Sequence, residues 1–430
     1  MQNFVLFFSQ TIKGIIIKCY ICLFKIRKVD KNILSDRILN LSESATLEMT
    51  RLSRELKAKG VDVITLSIGE PDFNTPNHVK SAGKRAIDEN ITHYPPVPGF
   101  MELREAIAKK LKRDNGLDYN ANQIVVSTGA KHSLINVFMC ILNEGDEVII
   151  PAPYWVSYPE MINLSGGNPV IIDAGIESDF KITPDKIEAA ITSKTKAFLF
   201  NSPSNPTGSV YSYKELEAIA EVFSKYPNIL VVADEIYEYI NFDSKHESLA
   251  SFEKIKDQVV VVNGVSKGMA MTGWRIGYIA GPKFIADACI KIQGQYTSGT
   301  GTISQMAALE AVSTDPETSD DLKNMVSSFK ERRDLLIDLV SEIPGVKTYV
   351  PNGAFYLFPD VSYYYGKAFG NYTINNSTEL CMYLLNEAYV ALVPGEAFGS
   401  PECIRISYAT SNELIKEAVS RIKFALEKLS

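Results

Sequence analysis

Between residues 124 and 263, short apolar runs alternate with amphipathic segments, and this rhythm carries most of the fold. Ile124–Ser127, Glu147–Ile150, Pro169–Asp173, Lys196–Asn201, Ile229–Ala233 and Val259–Asn263 are apolar or β-branched with little polar alternation. Unalternated runs separated by helical patterns predict a largely parallel sheet covered on both faces. Upstream, Thr46–Lys59 has helical spacing and ends at Gly60, a C-capping residue. Val61–Leu66 reads as a short extended run, and Ser67–Phe73, with its Gly and Pro, as a loop. Helical patterns follow over Val79–Asn90 and Met101–Asn115. A long amphipathic stretch, Asp320–Ile343, leads to a second set of elements: strands over Val346–Val350, Ala354–Phe358 and Ile404–Tyr408, and helices over Ser377–Ala388 and Glu413–Leu429.

The pattern implies an α/β protein with a large domain around a mostly parallel sheet and a smaller α+β domain. The boundaries expected are an extension over 1–35, a segment over 36–75 packing on the small domain, the large domain over 76–315 and the small domain over 316–430. A chain of 430 residues is long enough for two unequal cores. Its formal net charge of -7 offers no basic surplus to displace counterions, which argues against nucleic-acid binding.

Residues 4–24 are mostly apolar but are interrupted by Gln10, Lys13 and Lys18 before the basic cluster Lys25–Lys28. That suits neither a membrane span nor a cleaved signal. The stretch is read as an extension outside the fold, and membrane association is not expected. Six cysteines without regular spacing suggest no disulfide framework, and Cys19 with Cys22 lacks the partners of a zinc or redox site. No metal is expected, and a cytoplasmic location is. Gly299–Ser304 lacks the third glycine and preceding strand of a dinucleotide loop.

In open sheets of this kind, ligands lie at the carboxyl ends of the strands. After the last run comes Ser266-Lys267-Gly268, with Arg275 eight residues beyond the lysine. An amine there is a Schiff-base nucleophile and a guanidinium nearby holds a phosphate dianion, the two anchors that pyridoxal phosphate needs. After Ser127 a glycine turn, Gly129-Ala130-Lys131, opens a helix whose free N–H groups suit an anion. Trp155, in a proline-bounded loop, reads equally as a stacking plane for a flat ligand or as a packing residue. Asn205 lies in Asn201–Gly208, where two prolines and a glycine stiffen the loop. Asp234 ends an apolar run, where a carboxylate needs a positive partner; a protonated pyridine nitrogen is one.

These residues carry a resemblance to the class I pyridoxal-phosphate aminotransferases of fold type I, in the branch of the bacterial aspartate aminotransferases with prephenate-active members. It runs from about Asp36 to the C-terminus, through Ser67-Ile68-Gly69-Glu70-Pro71-Asp72-Phe73, Asn201–Gly208, Ser266–Arg275 and Arg405–Ala409. The resemblance implies a ping-pong aminotransferase acting on amino acids and 2-oxo acids, with aspartate and 2-oxoglutarate the expected pair. It implies Lys267 as the imine-forming and proton-shuttling lysine, Asp234 at the pyridinium nitrogen, and Asn205 with Tyr237 at the ring's phenolic oxygen. Trp155 would stack on the ring, with Gly129, Ala130, Lys131, Ser266 and Arg275 around the phosphate. Tyr94 would reach the phosphate of a neighbouring subunit, implying a homodimer with shared active sites. Arg405 and the backbone of Gly69 would take the substrate α-carboxylate.

Two departures follow. Gly264 stands where another branch has a phosphate-binding serine. Residues 292–325 contain no arginine for a distal carboxylate, which leaves Thr46 and Lys131. Ser42 replaces the basic residue that prephenate-active relatives tend to carry, which counts against prephenate. Another amino-acid specificity, or a carbon–sulfur lyase on the same scaffold, is the alternative reading.

Overall fold

Runs of Val and Ile form strands because their branched side chains fit a pleated, buried surface. The computed structural model describes residues 33–430, so the expectations for the apolar N-terminal stretch and for Cys19 and Cys22 lie outside the described residues. Two units are distinguished. In the first, the described residues carry a single helical turn, Asp36–Leu39. The second, Ser42–Ser430, holds everything that follows. Among the described residues, no helix is long and apolar enough to cross a membrane.

Strand β1 is Ile64–Thr65. Seven strands then build the main sheet: β2 (Ile124–Ser127), β3 (Glu147–Ala152), β4 (Asn168–Asp173), β5 (Thr195–Asn201), β6 (Leu230–Asp234), β7 (Val259–Gly264) and β8 (Gly277–Ala280). Their order is β2-β8-β7-β6-β5-β3-β4. All neighbours are parallel except β8, which is antiparallel to β7 and β2. The pleat sends alternate apolar residues to opposite faces. Val231, Ala233, Val259 and Val261 enter one core, while Val232, Val260 and Val262 enter the other. Both faces are buried, which explains why these strands show no polar alternation.

The register places Asn201 beside Asp234, and Asp234 beside Val262. The loops that follow β5, β6 and β7 therefore converge on one edge of the sheet. β8 begins there at Gly277, paired with Gly264 and with Ser127. A side chain at Gly277 would collide with the backbone of Gly129 and Ala130, so its absence lets the turn after β2 sit against the sheet.

The remaining strands are short: β9 (Tyr356–Leu357), β10 (Ala368–Phe369), β11 (Tyr372–Thr373), β12 (Val390–Ala391), β13 (Val393–Pro394) and β14 (Ile404–Ser407). β14 lies between β13 and β9, and β1 pairs with β12. Met49, Val63, Ile64 and Leu66 share a core with Leu322, Phe329, Leu384, Ile415 and Ile422, and with Tyr237 from the edge of the main sheet.

Three readings of the elements need correction. Val61–Leu66 pairs only over Ile64–Thr65. Val346–Val350 is not a strand: Lys347 makes one isolated bridge to Asp360, Val350 is 55% exposed, and Pro351 has no N–H to extend a ladder. The long helix runs Asp320–Ser341, started by the Ser319 side chain accepting from the Leu322 N–H, and stops short of Ile343 because Pro344 disfavours helical geometry just before it.

Candidate active site

The converging loops and the Gly69 segment enclose a cavity of about 290 Å³. Lys267, Asp234, Asn205, Tyr237, Trp155, Ala130, Lys131, Ser266, Arg275, Gly69, Thr46 and Arg405 all line it. Gly129 lies immediately behind, against the Arg275 guanidinium. Tyr94 is not among the lining residues and is 95% exposed.

Lys267 follows β7 at the cavity floor, and its Nζ donates to the Gly69 carbonyl. Burial, helped by the Arg405 guanidinium, pushes its pKa down to about 8. The side chain is therefore far closer to a neutral nucleophile than a solvated lysine would be.

Asp234, the last residue of β6, is 3% exposed. Its Oδ2 accepts from the Tyr158 hydroxyl at 2.7 Å and its Oδ1 from the Ile236 N–H at 3.3 Å. Burial still raises its pKa to about 6, against the lowering effect of Tyr158. Such a carboxylate is short of a cation and suits a protonated ring nitrogen.

The anion end is built from backbone. Gly129, at φ +87°, turns the chain from β2 into the helix Ala130–Ile141, whose first N–H groups have no intrahelical partner. Arg275 is held beside this turn, donating to the carbonyls of Thr272 at 2.7 Å and Thr128 at 3.4 Å. The absent serine at Gly264 has a steric cause. A Cβ there would lie 2.7 Å from the Ile276 carbonyl, in the tight pairing of β7 with β8. Ser266 lines the cavity two residues later.

Arg405, on β14, is 1% exposed. It donates to Asn205 Oδ1 at 2.9 Å and to the Ser67 carbonyl at 2.7 Å, while Nε has no partner. The Arg405 bond occupies the amide oxygen of Asn205 and leaves its Nδ2 as the free donor. Trp155 stands edge-on to Tyr158, with ring centres 5.4 Å apart, and Lys131 Nζ sits 4.7 Å from the Trp155 ring centre. Desolvation, then Arg275, lowers the pKa of Lys131. Thr46 Oγ1 is buried without a hydrogen-bond partner.

Three contributors were missed from the sequence: Tyr158, Tyr356 and the Ser67 carbonyl. Tyr158 sits three residues after Trp155, and Ser67 opens the Ser67–Phe73 motif, so both had a local signal. Tyr356 had none.

A nucleophilic amine with a phosphate cradle on one side and a cation-hungry acid on the other is what pyridoxal 5′-phosphate requires. On a sheet of this topology it defines a fold type I pyridoxal-phosphate enzyme. Comparison with known proteins specifies the family. The sequence model for "Aminotransferase class I and II" matches residues 61–422. A Petunia hybrida protein named bifunctional aspartate aminotransferase and glutamate/aspartate-prephenate aminotransferase is 50% identical over 93% of this chain and 84% of its own. The crystal structure of the aspartate aminotransferase from Rhizobium meliloti superposes with a TM-score of 0.89 at 42% identity, covering 92% of this chain and 99% of that one. The Thermus thermophilus aspartate aminotransferase with maleate gives 0.86 at 39% identity, covering 91% and 99%. The chain belongs to the class I and II aminotransferase family, and its cofactor is pyridoxal 5′-phosphate.

Proposed function

We propose that the protein is an aspartate:2-oxoglutarate aminotransferase, working as a homodimer in the cytoplasm. The observation that carries the substrate class is the charge of the cavity lining, where Lys131, Lys267, Arg275 and Arg405 face only Asp234 and Glu70. The cofactor phosphate takes up Arg275 and the substrate α-carboxylate takes up Arg405, with the Gly69 backbone against the same carboxylate. Lys131 then remains for a second carboxylate, and the unpaired Thr46 hydroxyl lines the same cavity. A dicarboxylic amino acid matches that remainder. The naming of the Rhizobium and Thermus proteins as aspartate aminotransferases, one with the dicarboxylate maleate, supports the same reading.

Bound pyridoxal phosphate supplies an electron sink for the carbanion left when the substrate Cα loses its proton. The remaining work falls to side chains. Lys267 Nζ takes and returns the Cα proton, a task suited to an amine with a pKa of about 8. Asp234, held in place by the Tyr158 hydroxyl, would keep the ring nitrogen protonated. Asn205 and Tyr237 would donate to the phenolic oxygen, and Trp155 would lie against the ring. Gly129, the backbone N–H groups of Ala130 and Lys131, Ser266 and Arg275 would surround the phosphate, joined by Tyr94 of a second copy, with the Lys131 side chain left to the substrate. With a large domain over 76–315 and a small one over 316–430, Arg405 would belong to the small domain, and closure of that domain would bring it onto the substrate.

The test is a panel of half-reactions on the purified, cofactor-loaded protein, each with one amino acid and no oxo acid. Conversion of the cofactor's visible absorbance should be fast with aspartate and glutamate and slow with alanine and phenylalanine. Slow conversion with aspartate, or release of a thiol from a sulfur amino acid, would sink this reading in favour of another specificity or a lyase. Adding prephenate to the aminated enzyme asks whether the second activity in the Petunia protein's name extends to this chain. Sedimentation at micromolar concentration checks the dimer.

A further inference from the structure

Tyr356 is fully buried on β9, opposite Ser407 of β14 and so close to Arg405 on that strand. Its ring lies beneath the Arg405 guanidinium, 4.6 Å from Cζ to the ring centre. Its hydroxyl is 2.8 Å from the Tyr237 hydroxyl. It also closes the cavity wall at Gly69, where a Cβ would lie 2.8 Å from Tyr356 Oη.

Two hydroxyls at that distance share one proton, so one donates and the other accepts. Burial raises the Tyr356 pKa, but the Arg405 guanidinium over its ring pulls it part of the way back down, and we assign Tyr356 as the donor of the pair. Either hydroxyl could donate on distance alone; Tyr237, whose pKa burial and the neighbouring Tyr356 hold well above the usual tyrosine value, is assigned as the acceptor. A Tyr237 oxygen that already accepts a bond from Tyr356 must point its own proton elsewhere, and the open direction is the cavity. The geometry points to Tyr356 as a positioning residue that fixes the Tyr237 hydroxyl as a donor toward the cofactor's phenolic oxygen and links that donor to the carboxylate-binding Arg405. This inference rests on the proposed role of Tyr237.

The arrangement has a functional consequence. Arg405 already fixes the Asn205 amide by occupying its oxygen. Through Tyr356 the same arginine also stands behind the second donor, Tyr237. Substrate carboxylate arriving at Arg405 weakens its pull on Tyr356 and is thereby felt at the phenolic oxygen, without any movement of the backbone.

Tyr356→Phe tests this, because it removes the hydroxyl and keeps the ring under Arg405. A weaker donor leaves the phenolic oxygen more basic. The pH midpoint of the bound cofactor's visible absorbance should therefore rise by about half a unit, equivalent to about three-fold, the size of one modest hydrogen bond. kcat should fall by about the same factor while KM for aspartate and 2-oxoglutarate stays within about two-fold. Tyr356→Leu, which also removes the ring, should raise KM for both substrates. Tyr237→Phe is measured alongside. A midpoint unmoved in Tyr356→Phe but raised in Tyr237→Phe overturns the positioning role and leaves the reading of Tyr237 intact. A midpoint unmoved in both means that Tyr237 itself does not serve the phenolic oxygen. Melting temperature and cofactor dissociation, followed by dialysis, identify a variant that is merely unfolded.

Discussion

Replacing Lys131 with alanine separates two roles that one residue cannot fill equally, phosphate anchor and second-carboxylate partner. Its Nζ reaches over the Trp155 ring at the open mouth of the cavity. Among the described residues it makes no ion pair with an acidic side chain, so no protein charge competes for it. An ammonium and a carboxylate about 4 Å apart interact by about 1 kcal/mol in water and about 4 kcal/mol at a protein surface. Solvent at the mouth and the ordering of a long side chain reduce this to about 1 kcal/mol. The expected cost is about a five-fold fall in kcat/KM for aspartate, with alanine and phenylalanine changed by less than about two-fold. Single-turnover rates across this panel are the assay, with the cofactor dissociation constant measured on the same preparation. Equal losses for all amino acids, accompanied by weaker cofactor binding, would refute the reasoning and assign Lys131 to the phosphate.

Other substitutions should behave differently. Lys267→Ala should keep the fold, by circular dichroism, yet lose the lysine-dependent visible absorbance and at least about a thousand-fold in turnover, since both a nucleophile and a proton carrier are gone. Arg405→Lys should lower kcat/KM about a hundred-fold for every amino and oxo acid alike, because one ammonium cannot replace a fork that also holds Asn205 and Ser67; a loss confined to dicarboxylates would contradict its assignment. In the cofactor-free protein, Asp234→Asn should raise stability at pH 7 by about 3 kcal/mol, because the folded-state pKa of about 6 makes the wild type lose stability as pH rises from about 4 through 6. Thermal melts across pH would show that advantage vanish below about pH 4.

The main sheet was readable because burial on both faces leaves an unmistakable mark, continuous Val and Ile such as Val259–Val262. The β8 strand was not, since Gly277–Ala280 is four residues long, begins with glycine, and gains its place from pairing on both sides rather than from its own pattern. The same difference separates Val346–Val350, apolar yet unpaired, from Tyr356–Leu357, a two-residue strand held by β14. Short strands are decided by their neighbours, and the local sequence says little about those.

The site divides along a similar line. Lys267, Asp234, Asn205 and the Gly129 turn each follow or end a strand, so strand topology alone drew them to one edge. Tyr356 reaches the cavity from a different sheet, more than a hundred residues from Tyr237, and as an aromatic in an apolar run it has the look of core. What gives it a role is geometry that no run of sequence expresses: a ring under one cavity residue and a hydroxyl against another. Its neighbour Phe355 is as deeply buried and packs against Phe329 with no polar atom to offer. Two adjacent aromatics thus meet opposite demands, and the single hydroxyl between them is the atom that the Tyr356→Phe comparison isolates.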